Sequence, residues 1–200
     1  MSDTRDRNIE FNIESSIQYT KEYFDQMSQV QSDMDLKDLP EIIQIIQDTI
    51  DSGSIVYSMG NGGSCAIADH LVCDFTKGCF TENSRLKSFS LNSNTSLLTA
   101  IANDISYKEG FSKQLEYYVE PGDVILLISS SGNSDNIISA IEYANNNNIK
   151  SIAFTGFDGG KAKEIASMNI HVPVDNYGII EDMHQSMMHV IAQFVYLKNR

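Results

Sequence analysis

The chain is 200 residues long, enough for one domain that buries roughly 70% of its unfolded surface without disulfide or metal staples. Its 27 Asp and Glu outweigh 14 Lys and Arg and leave a net charge of −13, which repels nucleic acid and anionic membrane and provides no basic run for either. Cys65, Cys73 and Cys79 form no C-x-x-C pair and are odd in number, which argues against a disulfide framework or a cysteine zinc knuckle and predicts a reduced, cytoplasmic setting.

Met1 to Asn8 is polar and charged, without the apolar centre of an export signal, and no apolar run is long enough to span a membrane. From Ile13 onward Ile17, Phe24, Met27 and Val30 recur at helical spacing and predict one long amphipathic helix. A second helix follows, with Leu39, Ile42, Ile43, Ile46 and Ile50 as its stripe, Pro40 in its first turn and Gly53 where a C-terminal cap belongs. The pair, residues 9–52, offers more apolar face than one small sheet needs. With eight methionines in the chain, that surplus predicts a helical interface between subunits.

Residues 54–197 then alternate between strand and helix patterns. Strands are predicted at 54–59, 86–91, 123–129, 150–155 and 169–174. Helices are predicted from Ser64, near 95–101 and 108–119, at 134–145 and 160–166, and from about Ile179 to Leu197. Right-handed crossovers turn this order into an α/β domain, a parallel sheet of about five strands wrapped by helices, within a single domain over residues 1–200.

Two loops in this pattern are rich in Ser and Gly, and each follows an apolar strand and precedes a helix. The first is Gly60-Asn61-Gly62-Gly63-Ser64 and the second is Ser129-Ser130-Ser131-Gly132-Asn133-Ser134. At such a corner, unpaired helix N–H groups and hydroxyls point at any anion lying at the carboxyl edge of the strands. The first loop lacks the lysine of a P-loop, and Cys65 occupies the last small position of the dinucleotide fingerprint. A small phosphorylated metabolite therefore fits better than ATP or NAD. In so acidic a chain the backbone must supply most of the attraction.

His70 and Asp74 stand four apart on the helix opened by the first loop and share a face. Glu181, Gln185 and His189 recur every four residues on the last helix. Two helices thus each offer a histidine and an acid, a set suited either to a divalent metal such as zinc or to a general base and acid. An isolated helical histidine is usually a hydrogen-bonded core residue, and it is the neighbouring phosphate loop that distinguishes His70. His184 falls off the row as a supporting or interface residue, and His171, in a strand, reads as structural. Asn103-Asp104 follows a predicted helix end, where a plain turn and a functional pair are equally good readings.

With these residues in view, the chain resembles the sugar isomerase (SIS) domains, and among them the bacterial phosphoheptose isomerases, over residues 8–197. The markers are Gly60–Ser64, His70, Ala102-Asn103-Asp104, Gly122-Asp123-Val124, Ser129–Ser134, Thr155-Gly156-Phe157-Asp158-Gly159-Gly160 and His189. The resemblance implies a flavodoxin-like five-stranded parallel sheet, a homotetramer with active sites at subunit interfaces, and conversion of sedoheptulose 7-phosphate to glycero-manno-heptose 7-phosphate for lipopolysaccharide or capsule heptose. It implies that Asn61, Gly62, Gly63 and Ser64 contact substrate, that Ser129, Ser130, Ser131 and Ser134 hold the phosphate, and that Asn103, Asp104 and Glu181 bind the sugar. Asp74 and His189 would be the catalytic pair, and His70, Asp74, Glu181 and His189 the ligands of one zinc per subunit.

Two positions depart from the family pattern: Asp74 stands in place of the usual Glu, and Glu181 in place of the usual Gln. The first shortens the reach by about 1.5 Å, and the second adds a negative charge. An isomerase for another sugar phosphate is therefore an alternative expectation. Another is a SIS protein that binds the bacterial replication initiator without isomerase activity; the retained His189 argues against it.

Overall fold

A computed structural model describes residues 13–200; residues 9–12 of the predicted first helix and the polar Met1–Asn8 segment lie outside the described residues. Five strands, β1 (Ile55–Gly60), β2 (Lys87–Ser90), β3 (Val124–Ser129), β4 (Lys150–Gly156) and β5 (Met168–Val172), form one parallel sheet in the order β2-β1-β3-β4-β5. Eight α-helices accompany them among the described residues: α1 (Ile13–Asp33), α2 (Leu39–Ser52), α3 (Gly63–Cys73), α4 (Thr95–Asp104), α5 (Ser112–Tyr118), α6 (Asp135–Asn146), α7 (Gly160–Ile165) and α8 (Tyr177–Asn199).

The central strand shows why the sheet carries helices on both faces. Every residue of β3 is buried, and its side chains alternate between two cores as the two-residue strand period requires. Val124, Leu126 and Ile128 join Ile42, Ile46, Leu71, Met188 and Ile191 beneath α2, α3 and α8. Ile125 and Leu127 join Leu115, Ile137 and Ile141 beneath α5 and α6 on the other side.

The two N-terminal helices differ. Ile42 and Ile46 of α2 are completely buried, Gly53 closes the helix in the left-handed conformation (φ 70°), and its N–H bonds to Ile50 O. α2 is thus a core helix. On α1 only Val30 is buried, while Ile13, Ile17 and Phe24 are 82%, 54% and 59% exposed. The apolar surplus expected of the pair belongs to α1 alone, because the isoleucine stripe of α2 is absorbed by the sheet.

Two predicted boundaries are corrected. The helix expected to end near 101 continues to Asp104, so Asn103 and Asp104 form its last turn rather than a turn beyond it. The single helix expected near 108–119 is a 3₁₀ turn, Tyr107–Glu109, followed by α5. Ser106 caps the 3₁₀ turn, its Oγ accepting from Glu109 N at 3.3 Å, and Gly110 separates the two pieces.

Candidate active site

β1 turns toward β2 on one side and β3 continues the sheet on the other, so the chain reverses direction of travel between them and opens a crevice beyond their carboxyl ends. Both Ser/Gly loops lie at this point, one after β1 and one after β3. Asparagine amides tie them together. Asn61 Nδ2 donates to Asn136 Oδ1 at 2.8 Å and Asn136 Nδ2 returns a bond to Asn61 Oδ1 at 3.0 Å. Tyr107 Oη also donates to Asn61 Oδ1, at 2.7 Å. Asn92 clamps Gly60 from the side, accepting from its N–H at 3.0 Å and donating to its carbonyl at 2.8 Å.

Within the second loop, Ser129 Oγ accepts from Gly132 N at 3.2 Å and Ser131 Oγ from Asn133 N at 3.3 Å. Ser130 is buried and its Oγ has no hydrogen-bond partner among the described residues. Ser134 is the N-cap of α6, yet its side chain makes no capping bond. A buried or capping hydroxyl without a partner is costly or wasteful unless something else accepts its proton, and the helix N-terminus beside it favours an anion. In the first loop Gly62 adopts φ 57°, and Ser64 is buried at the start of α3.

The second constellation lies along the solvent side of α3 and α8. His70 Nε2 is 3.7 Å from Asp74 Oδ1, and His189 Nε2 is 3.4 Å from Asp74 Oδ2. The two imidazoles stand edge to face with centroids 5.2 Å apart. Gln185 Nε2 lies 3.1 Å from His70 Nδ1 and 3.2 Å from His189 Nε2. Asp74 opens a single π-helical turn, Asp74–Gly78, in which Cys79 N reaches back to Asp74 O at 2.9 Å. That wide turn continues α3 and sets the carboxylate opposite α8, an irregularity of the kind frequent at functional sites.

His70, Asp74 and His189 each turn a ligand atom into one space, all within 4.8 Å of one another. Two imidazole nitrogens and a carboxylate oxygen are a donor set that fits zinc with an open position. Glu181 lies outside this group. Its carboxylate packs against Gly63, where a Cβ would collide with it, so the missing side chain at 63 makes room for the acid. Burial, with Asp182 nearby, raises the Glu181 pKa above the usual carboxylate value.

His184 occupies the opposite face of α8. It is fully buried, its Nε2 bonds to Thr155 O at 3.1 Å, and burial drives its pKa down to about 4. His171 Nδ1 meets Thr155 Oγ1 at 3.2 Å and is lowered by its burial. Both serve the packing of β4 and β5 against α8. Asn103 and Asp104 are exposed; Asn103 Nδ2 donates to Asp104 Oδ1 at 2.8 Å, and no hydrogen bond joins them to either loop among the described residues. Asn92, Tyr107 and Asn136 escape sequence reasoning because their partners lie 32 to 75 residues away.

A doubly wound sheet of order 2-1-3-4-5, with Ser/Gly loops at its reversal point, is the flavodoxin-like arrangement that binds ligands at the switch point, and the SIS domain family model matches residues 18–156. The chain belongs to that family. Within it the chain belongs with the phosphoheptose isomerases. It is 36% identical over 158 residues to the phosphoheptose isomerase of Akkermansia muciniphila, covering 79% of this chain and 84% of that protein. It is 38% identical over 157 residues to the enzyme of Aliarcobacter butzleri, covering 78% and 83%. The solved phosphoheptose isomerase of Francisella tularensis superposes with a TM-score of 0.84 at 26% identity, over 91% of this chain and 98% of that one. The enzyme of Neisseria gonorrhoeae does so at 0.82 and 27%, over 92% and 98%.

Proposed function

We propose that the protein is an aldose–ketose isomerase that converts sedoheptulose 7-phosphate to D-glycero-D-manno-heptose 7-phosphate through an enediol, supplying heptose for lipopolysaccharide or capsule. The observation that carries this reading is the pairing of an anion-binding reversal point with a carboxylate–imidazole cluster along the same helix. Gly63 and His70 are seven residues apart on α3, roughly 10 Å of helix. An extended heptose 7-phosphate spans eight bonds from carbon 1 to phosphorus, about that length at about 1.2 Å per bond. Its phosphate would meet Ser129, Ser130, Ser131 and Ser134, with Asn61, Gly62, Gly63 and Ser64 opposite, while its carbonyl end reached Asp74 and His189. Asn103, Asp104 and Glu181 are assigned to the sugar hydroxyls.

In this mechanism Asp74 takes the proton from carbon and His189 shuttles a proton at the carbonyl or hydroxyl oxygen. Each is within reach of the other, so the proton lost at one carbon can be returned at the next. His70, Asp74 and His189 would hold a zinc ion; Glu181, expected as a fourth ligand, faces Gly63 instead and lies outside that group. Such an ion would polarise the substrate oxygens.

The cluster is open: the His70, His189 and Asp74 side chains are 48%, 39% and 27% exposed. An open site excludes water poorly. A second copy lying on α8 would close it, and Val190, Phe194 and Leu197 continue that helix as 50–53% exposed apolar surface. With the bare stripe of α1, this supports a homotetramer with shared sites. Light scattering should report a tetramer, and a monodisperse monomer at micromolar concentration would contradict the shared site. No described helix is long and apolar enough to cross a membrane, and a cytoplasmic enzyme is proposed.

A second reading is an isomerase for a different sugar phosphate, favoured by Asp74 and Glu181 at the two positions where the family carries a longer acid and an amide. Incubating the protein with pentose, hexose and heptose phosphates and following products by NMR separates the two. Turnover of the heptose alone supports the first, and turnover of a shorter sugar replaces it. No turnover of any leaves the initiator-binding alternative.

A further inference from the structure

Asn61, in the first loop, is held from two elements at once. Tyr107, on the 3₁₀ turn, donates its hydroxyl to Asn61 Oδ1 at 2.7 Å although the residue is 58% exposed. Asn136, in the first turn of α6 and only 1% exposed, exchanges two amide hydrogen bonds with Asn61, at 2.8 Å and 3.0 Å. We infer that Tyr107 and Asn136 are positioning residues that turn the Asn61 carboxamide so that it offers a bound substrate a hydrogen-bond donor and no acceptor.

A carboxamide has two N–H hydrogens and two oxygen lone pairs. Asn61 Oδ1 accepts from both Tyr107 and Asn136, which occupies its two lone pairs. One hydrogen of Asn61 Nδ2 goes to Asn136 Oδ1. A single N–H remains. The reciprocal asparagine pair alone would not settle this, because both amides could turn over together and keep their two bonds. Asn61 would then have both hydrogens engaged and a lone pair to offer. Tyr107 breaks the tie: a phenol donates its proton more readily than it accepts one, since the ring draws on the oxygen lone pair. Its hydroxyl therefore keeps the oxygen of Asn61, and not the nitrogen, on the Tyr107 side.

The choice decides what the first loop can bind. An N–H suits an oxygen that only accepts, as a phosphate oxygen does, whereas a lone pair in its place would repel that oxygen. In a chain of net charge −13 the clamp thus supplies a donor without a cation. Asn136 stands two residues beyond Ser134, so the same pair of bonds ties the orientation of Asn61 to the second loop. That the remaining N–H meets the substrate phosphate rests on the isomerase reading; the orientation of the amide does not.

The test is Tyr107→Phe, which removes one oxygen from an exposed ring, in the full-length protein. In ¹H–¹⁵N spectra the side-chain amides of Asn61 and Asn136, assigned by their loss in Asn61→Ala and Asn136→Ala, should gain a second or displaced set of signals as the pair turns over. Signals left at their wild-type positions would overturn the inference. Calorimetric titration with inorganic phosphate supplies the second readout: Asn61→Ala should bind about tenfold more weakly than wild type and Tyr107→Phe about 3–10-fold more weakly. The double variant should be no weaker than Asn61→Ala, because Tyr107 acts through Asn61. Losses that simply multiply in the double variant would show a general structural role and overturn the assignment. If the sugar assay shows turnover, Tyr107→Phe should raise KM with kcat little changed. A wild type that binds no phosphate would remove the phosphate assignment of the loops, and the amide spectra would still decide the orientation.

Discussion

His184 and His189 stand five residues apart on α8, about 140° around the helix at about 100° per residue, and that rotation gives them opposite lives. His184 packs among Phe154 and the methionines of the inner face, with its ring 5.8 Å from Phe154, and remains neutral because burial penalises its charge. His189 looks outward into a polar ring of Asp74, Gln185 and His70. The contrast teaches that a histidine's role on a helix is set by the face it occupies and by what the neighbouring helix brings to that face. α3 brings Ala68 and Leu71 to one side and His70 to the other.

The outer face can be broken without harming the inner one. If Asp74 and His189 carry the proton transfer proposed above, Asp74→Asn and His189→Ala should each lower isomerisation by roughly 10²–10⁴-fold, while circular dichroism and melting temperature stay close to wild type. Near wild-type turnover in both would remove the catalytic assignment.

Acid should break the inner face first. The unfolded chain protonates His184 near the ordinary histidine value, 6.5, whereas the folded protein does so only near about 4. The unfolded state thus binds the extra proton between those values, so this contribution is intact above about pH 6.5 and is lost as pH falls toward 4. The loss amounts to about 3 kcal/mol, visible as a falling urea midpoint. His184→Asn should flatten that part of the profile, and an unchanged slope in the variant would assign it to other groups.

The smallest effects belong to the loop, away from either histidine. Ser131→Ala and Ser134→Ala should each weaken binding of the phosphorylated sugar by about 1–2 kcal/mol, measured by calorimetry. Equal binding of phosphorylated and unphosphorylated sugar by wild type would sink the phosphate assignment.

Much of this arrangement is legible in the chain. The alternation of apolar runs places all five strands within a few residues, since a parallel sheet buried on both faces needs continuous apolar segments such as Val124–Ile128. The four-residue recurrence of Glu181, Gln185 and His189 marks the outer face of α8 directly. What escapes is whatever depends on distant partners. Nothing local tells Asn92 that it will clamp Gly60, or Asn136 that it will pair with Asn61. The π-helical turn at Asp74 has no periodic signature, and the stripes of α1 and α2 look alike until the sheet takes up one of them. The extension of α4 through Asp104 arises because Asn and Asp, poor helix formers, are carried along by the buried Ile101 in the preceding turn.

The most direct test of the central claim is one NMR time course of the wild-type protein with sedoheptulose 7-phosphate in deuterium oxide. Proton transfer through an enediol predicts an aldoheptose 7-phosphate that appears with time and carries deuterium at carbon 2. A ketose phosphate that remains unchanged and unlabelled after prolonged incubation, with and without added zinc, would contradict the account.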